Sequence, residues 1–353
     1  AQPSIESFGP QSSTVGATVT IIGNNFSATE SGNIVYFGAV RATVTDATTT
    51  TLTITVPPGA DYHPISVTTN GLTAWSTKPF HPVFSGGDSI RLSAFRNPVK
   101  FDEEDAIVRN IDKADFNGDG KTDLVTWYAG VNKLSVYRNT TIGNTISFDV
   151  TDISFEGGLE EIVADVDNDG LIDILLFHFK AVIWFRNIST EGTILFATPI
   201  EIELKEFQDS PKWVDWDQDG LGDIICAGSE DMFVYRHLVN GTTHSFADPV
   251  TFEVGSIGGL SIGDADGDNK PDVLVNTYLH KTFCFRNTSA AGSVSAVRHS
   301  LDLPDTRNAQ FMDVDTDGKP DVVLSGYIDD VNKVAIARNV SEAAGDISFV
   351  PEV

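Results

Sequence analysis

Asp165–Asp173 reads DVDNDGLID, with acids at positions 1, 3, 5 and 9, a glycine at position 6, and an apolar run, DILLF, that begins on its last residue. Four other stretches share this form: DFNGDGKTD (115–123), DWDQDGLGD (215–223), DADGDNKPD (264–272) and DVDTDGKPD (313–321). Their starts are separated by 50, 50, 49 and 49 residues, and a fixed step of this size marks a repeat architecture. Around each loop the order is constant. A short apolar run enters it (EIVAD, KWVD, QFMD), a longer one leaves it (DLVTWY, DILLF, DIICA, DVLV, DVVL), a third follows (LSVYRN, VIWFRN, MFVYRH, TFCFRN, VAIARN), and a fourth, usually carrying Phe, closes the unit.

Four short strands joined by turns in about 50 residues predict a propeller blade. The fold class expected is therefore all-β, with a β-propeller of about five four-stranded repeats over residues 83–353. The stretch SAFRNPVKF (93–101) matches the fourth strand of SFADPVTF and supplies a sixth copy of that strand. It is placed either to complete the last blade and close a ring, or to belong to a longer array.

Oxygen donors at positions 1, 3, 5 and 9, with a backbone carbonyl at position 7, suit the six to eight oxygen ligands that Ca2+ prefers. The candidate ligands are Asp115, Asn117, Asp119, Lys121 and Asp123; Asp165, Asp167, Asp169, Leu171 and Asp173; Asp215, Asp217, Asp219, Leu221 and Asp223; Asp264, Asp266, Asp268, Lys270 and Asp272; and Asp313, Asp315, Asp317, Lys319 and Asp321. Gly at position 6 allows a positive φ, and Asn269, which replaces it in the fourth loop, tolerates that region better than most residues. A helical calcium loop needs Glu at position 12, where this chain has Thr126, Leu176, Cys226, Val275 and Leu324. These are strand-loop-strand sites. Without metal the crowded carboxylates repel one another, so metal binding is expected to be linked to folding. From about residue 90 onward the chain resembles the FG-GAP/VCBS repeats of integrin-type calcium-binding β-propellers. Measured against that pattern, Asn117 and Asn269 make the first and fourth loops the weakest sites.

Residues 1–82 are punctuated differently. The runs ATVTIIG, NIVYFG, TLTITVP and HPISVTT alternate or are β-branched, and turn signals such as Asn70-Gly71 separate them, which predicts a small β-sandwich. PSIESFGPQSSTVGATVTIIGNNFS, VYFGAVRATV and TLTITVPPGA resemble the IPT/TIG family of immunoglobulin-like domains. That resemblance implies a spacer or interaction module.

With 50 acidic against 23 basic residues the formal net charge is −27, which disfavours nucleic acid and anionic lipid as partners and favours cations. No apolar run reaches the length of a membrane-spanning helix, so no membrane insertion is expected. The chain begins at Ala1 and reads as a mature or trimmed secreted product, with an extracellular or cell-surface location. Cys226 and Cys284 lie in apolar runs and read as two buried thiols, with a bridge between repeats as the alternative.

Catalytic signals are sparse. Gly259–Gly263, GLSIG, fits G-x-S-x-G formally, but Ser261 sits on a strand entering an acidic loop rather than on a strand-turn-helix elbow. The seven histidines show no zinc spacing. The turns between the second and third strands carry Trp127, Tyr128, His178, Phe179, Tyr278, His280 and Tyr327, placed either to line a sugar-stacking surface or to pack between blades. Asn25, Asn139, Asn187, Asn240, Asn287 and Asn339 begin N-x-S/T triplets. The simpler reading is that the Asn ends a strand in a turn and the preceding Arg pairs with a nearby acid. The expected role is a non-enzymatic adhesion or glycan-binding module with an extracellular glycan or protein ligand. A polysaccharide lyase on the same scaffold, and a self-assembling subunit of a surface fibre, are the alternatives.

Overall fold

The structure, a computed structural model, describes residues 2–83, 107–108, 110–129, 131–143, 145–155, 157–178, 180–205, 209–304, 307–315, 317–328 and 331–352. Phe179, the side chain of Tyr327 and the stretch 93–101 lie outside the described residues. Two compact units divide the chain, one of residues 1–176 and 184–200 and one of residues 177–183 and 201–353.

The first unit opens with a β-sandwich. Its strands run in the order Ser4–Gly9, Thr18–Asn24, Thr51–Thr55, Val40–Ala47, Asn33–Phe37, His63–Thr69, Leu72–Pro82 and Ser12–Ser13. Val40–Ala47 pairs with Thr51–Thr55 on one side and Asn33–Phe37 on the other, and so carries the chain from one layer to the next. The alternation read from the sequence does the packing: Val19 and Ile21, Leu52 and Ile54, and Ile65 and Val67 turn inward, and Phe37 meets Phe80 edge-on at 4.8 Å.

Five repeat sheets follow, each antiparallel with its strands side by side in chain order. The second is Glu160–Ala164, Asp173–His178, Ala181–Phe185 and Ile200–Glu203, and the fourth is Ile257–Gly263, Asp272–Thr277, Thr282–Asn287 and Ala296–Leu301. The first carries an additional short strand, Ile107–Val108. In every repeat the acidic loop joins the first strand to the second.

Residues at loop positions 2, 11 and 13 form one row on each sheet with two residues of the third strand. In the third repeat this row is Trp216, Ile225, Ala227, Met232 and Val234, all buried against Leu260, Val273, Val275 and Phe283 of the fourth. Leu274 of the fourth packs in the same way against Ala309, Val322 and Leu324 of the fifth. Trp127 occupies this row in the first repeat and is 1% exposed. In the fifth repeat the row is open, with Val314 at 41% and Val334 at 65% exposed.

A second device joins neighbouring repeats. Asn187 Nδ2 donates to the Ile172 and Phe116 carbonyls, both at 2.8 Å, and Asn339 Nδ2 to those of Pro320 (3.1 Å) and Ala265 (2.9 Å). Asn287 Nδ2 likewise reaches the Trp216 carbonyl at 2.7 Å. In each triplet the Asn Oδ1 accepts the backbone N–H of the Ser two residues on. Asn187, Asn287 and Asn339 are therefore buried structural links, and an amide so enclosed is no glycan acceptor. Among the described residues, Asn139 Nδ2 of the first repeat donates to the Thr122 carbonyl of its own loop, and Asn139 is half-buried rather than buried. Asn287→Ala is expected to cost about 1–3 kcal/mol in denaturant unfolding, because it strands a buried carbonyl and a buried N–H, and Asn139→Ala is expected to cost less.

Candidate metal centre

The five acidic loops share one hydrogen-bond pattern. The position 1 carboxylate accepts the N–H of position 6, as Asp165 Oδ2 does from Gly170 at 2.9 Å and Asp264 Oδ2 does from Asn269 at 3.0 Å. The position 3 side chain accepts from position 5 and the position 5 carboxylate accepts from position 7, as in Asp217 from Asp219 (3.1 Å) and Asp219 from Leu221 (3.0 Å). Position 9 is used twice. Asp173 accepts the Val166 N–H on Oδ2 (3.1 Å) and the Asn187 N–H on Oδ1 (2.6 Å), so it ties the loop to the end of the third strand.

Position 6 is left-handed in all five loops, Asn269 included at φ 66°. Position 4 is also left-handed at Gly118, Asn168, Gln218 and Gly267. The mix of residue types there hid that requirement in the sequence. Two consecutive turns about these positions bring the carboxylates of positions 1, 3 and 9 together. Asp165, Asp167 and Asp173; Asp215, Asp217 and Asp223; Asp264, Asp266 and Asp272; and Asp313, Asp315 and Asp321 each place a ligand oxygen within 4.8 Å of the others. In the first loop Asn117 stands in the middle place, so Asp115 and Asp123 lack a third acid there. The position 5 carboxylates lie outside these groups of three.

The donor set is oxygen alone, which fits a hard divalent cation such as Ca2+. Asp165 Oδ1 and Asp313 Oδ1 are buried with no hydrogen-bond partner, a state that a metal ion in the loop would relieve. Positions 1, 3 and 9 of the last four loops are the residues that would hold it. Position 7 lies beside these groups in sequence, and its side chain has another task in two loops: Lys270 and Lys319 each donate to a hairpin carbonyl at 2.6 Å.

Burial and mutual repulsion set the charge state. Burial first, and then the neighbouring Asp169, pushes Asp165 up to about 8, and Asp173 rises to about 8, also chiefly through burial. Asp223 reaches about 8 and Asp123, Asp215 and Asp272 about 7, with burial the largest cause in each. Asp266 departs from this pattern: burial works against ionisation, but the Arg286 guanidinium at 2.6 Å and the Gly345 N–H hold it below the usual carboxylate range. Arg186 likewise pairs with Asp167 and Asp169. The Arg of the repeated Arg-Asn pair thus offsets part of the loop charge, whereas Arg138, whose loop carries Asn117 at position 3, pairs with Asp149.

The other expected site residues scatter. Trp127 is buried between the first and second repeats, and Tyr128 is 4% exposed with its hydroxyl on that of Tyr137 at 2.5 Å. Neither belongs to an open aromatic surface, because their strand positions face neighbouring chain. Tyr278 is 67% exposed. Ser261 Oγ accepts the Phe311 N–H at 3.0 Å and so links its strand to Asn308–Met312 of the fifth repeat. Cys226 and Cys284 are buried and not joined in a disulfide. Sequence spacing missed the contact of His237 Nε2 with His244 Nδ1 at 3.0 Å, which a hairpin creates. Burial holds His237 down to about 4.

Comparison with known families agrees with this geometry. Residues 3–82 match the IPT/TIG domain, and residues 115–176, 165–224 and 215–275 match the FG-GAP-like repeat. The chain carries an IPT/TIG domain followed by FG-GAP-like repeats. Among solved structures it is similar to an Agrocybe aegerita lectin that recognises non-reducing terminal N-acetylglucosamine, at 16% identity and a TM-score of 0.46, covering 94% of this chain and 92% of that one. An auxiliary nutrient binding protein of Bacteroides thetaiotaomicron is similar at 12% identity and a TM-score of 0.30, covering 95% and 98%. The rhamnogalacturonan lyase YesW is similar at 12% identity and 0.43, covering 99% and 70%. Likenesses of this order do not choose between binding and catalysis. No curated protein matches the sequence.

The raised carboxylates carry a pH dependence. Without metal the FG-GAP loops of the folded chain bind protons that the unfolded chain has released, so their contribution is fully favourable below about pH 4 and is lost as pH rises toward 8. Melting in chelator is expected to show Tm falling between pH 5 and pH 8, and millimolar calcium is expected to abolish that fall.

Proposed function

We propose that the protein is a calcium-stabilised extracellular binding module of the propeller type, without a catalytic role, and that its ligand is a glycan. The observation that carries this reading is the gathering of oxygen donors in four successive loops at a constant step. Metal held in this way fixes the connection between the first two strands of each sheet, a scaffold function, and the acids so engaged are not available to a substrate. Outside the loops, Glu161 is pushed up to about 7 chiefly by burial, and it is 1% exposed. Ser261 and His237 are engaged as described above.

The glycan assignment rests on the turn between Asp272–Thr277 and Thr282–Asn287, where Tyr278 and Leu279 stand exposed and His280 adopts φ 63°. An exposed phenol ring beside apolar surface offers a face for a sugar ring and a hydroxyl for its hydrogen bonds. The net charge of −27 favours a neutral or cation-bridged glycan over a polyanionic one.

Two measurements test the reading. Chelator is expected to lower Tm by at least about 10 °C relative to millimolar calcium, and an unchanged Tm would remove calcium from the account. On a glycan array in calcium, Tyr278→Ala is expected to reduce binding about tenfold, the loss of one aromatic contact. Binding that survives intact would move the ligand away from this turn.

A further inference from the structure

We infer that the N-terminal sandwich is an integral part of the second acidic loop, docked on it in a calcium-dependent way, so that metal binding and docking reinforce each other. This rests on the calcium reading above. All of the contacts lie within the first compact unit.

The loop offers its tip. Gly170, at position 6, presents its carbonyl to the Tyr36 hydroxyl, which donates at 2.9 Å from a buried position. Asn168, at position 4, is bonded twice: its Oδ1 accepts the Thr73 hydroxyl at 2.8 Å and its Nδ2 donates to the Gly71 carbonyl at 3.0 Å. Ile34 lies over Gly170, and a Cβ at residue 170 would fall 2.4 Å from Ile34 Cδ1. The sandwich therefore packs directly on the loop backbone, where a side chain would have to displace Ile34 and the φ of 89° favours glycine.

The first loop is held beside it. The Asp115 N–H donates to the Ala39 carbonyl at 2.9 Å, Lys113 pairs with Asp61, and Gly59 lies against Thr122. Position 4 has a different partner in the third loop, where Gln218 Nε2 donates to the Asn269 carbonyl at 2.8 Å. The same place in the repeat thus ties loop to loop in one instance and loop to sandwich in another.

These contacts depend on the closed form of the loop. Asn168 and Gly170 are both left-handed, at φ 56° and 89°, and the Gly170 N–H is held by Asp165, one of the residues that would bind the metal. Arg186 offsets the charge of Asp167 only in part, and the crowding of Asp165, Asp167 and Asp173 in the metal-free loop still works to open it. Opening withdraws the Gly170 carbonyl from Tyr36 and the Asn168 amide from Thr73. Linkage runs in both directions, so removing the sandwich contacts must weaken calcium binding at this loop by the factor with which calcium strengthens docking.

Hydrogen exchange resolved by peptide, recorded on the full chain across a calcium titration, tests this loop by loop. In Tyr36→Phe combined with Thr73→Val, the calcium midpoint for protection of 165–173 is expected to rise at least about fivefold, while the midpoints of 215–223, 264–272 and 313–321 stay in place. Equal midpoints in variant and parent would overturn the coupling while leaving calcium binding intact. An equal shift at every loop would overturn it as well, since it would reveal general destabilisation. If the parent chain gains no protection with calcium at any loop, the calcium reading and this inference fail together.

Discussion

The clamp made by the position 9 carboxylate is the interaction on which the repeats depend. Asp123, Asp173, Asp223, Asp272 and Asp321 each accept one N–H from the start of their own loop and one from the end of the third strand. All five are buried, so each carboxylate exchanges hydration for two fixed donors. That exchange leaves the charge itself poorly compensated, as the raised proton affinity of Asp173 and Asp223 shows. A cation placed between positions 1, 3 and 9 would supply the missing compensation. The clamp thereby accounts for the closed form of the loops and for a donor set suited to a divalent cation.

From this clamp the rest of each repeat follows. The strand-end Asn whose N–H enters the clamp uses its side chain to hold the neighbouring repeat, and the Arg before it is directed back over the loop. One dipeptide thus joins loop, sheet and neighbour. His237 interrupts the series in the third repeat: its N–H still enters the clamp on Asp223, while its ring turns to His244. Backbone chemistry is retained there and side-chain chemistry has changed.

Much of this was legible in the sequence because it is local and periodic. Spacing and residue type alone marked the loops, the left-handed position 6, the exclusion of a helical calcium site, the β-sandwich strands and the strand-end role of Asn. What was not legible depends on which face of a sheet meets another. Trp127 and Tyr128 look like surface aromatics in a turn, but alternation places Trp127 on the row that faces the next repeat, and Tyr128 is enclosed with Tyr137. The contact of Tyr36 with Gly170 joins residues 134 positions apart in the chain, and no local pattern records such a distance. The same limit hid the pairing of His237 with His244, which arises because a hairpin sets His237 opposite Phe246 and so brings His244, two residues before it, diagonally within reach.

The metal content of the purified chain tests the central claim most directly. After equilibration in millimolar calcium and removal of free ion, elemental analysis is predicted to find about four calcium ions per chain, one for each gathered group of acids. A chain that retains no calcium, yet shows the same folded spectrum, would contradict the account.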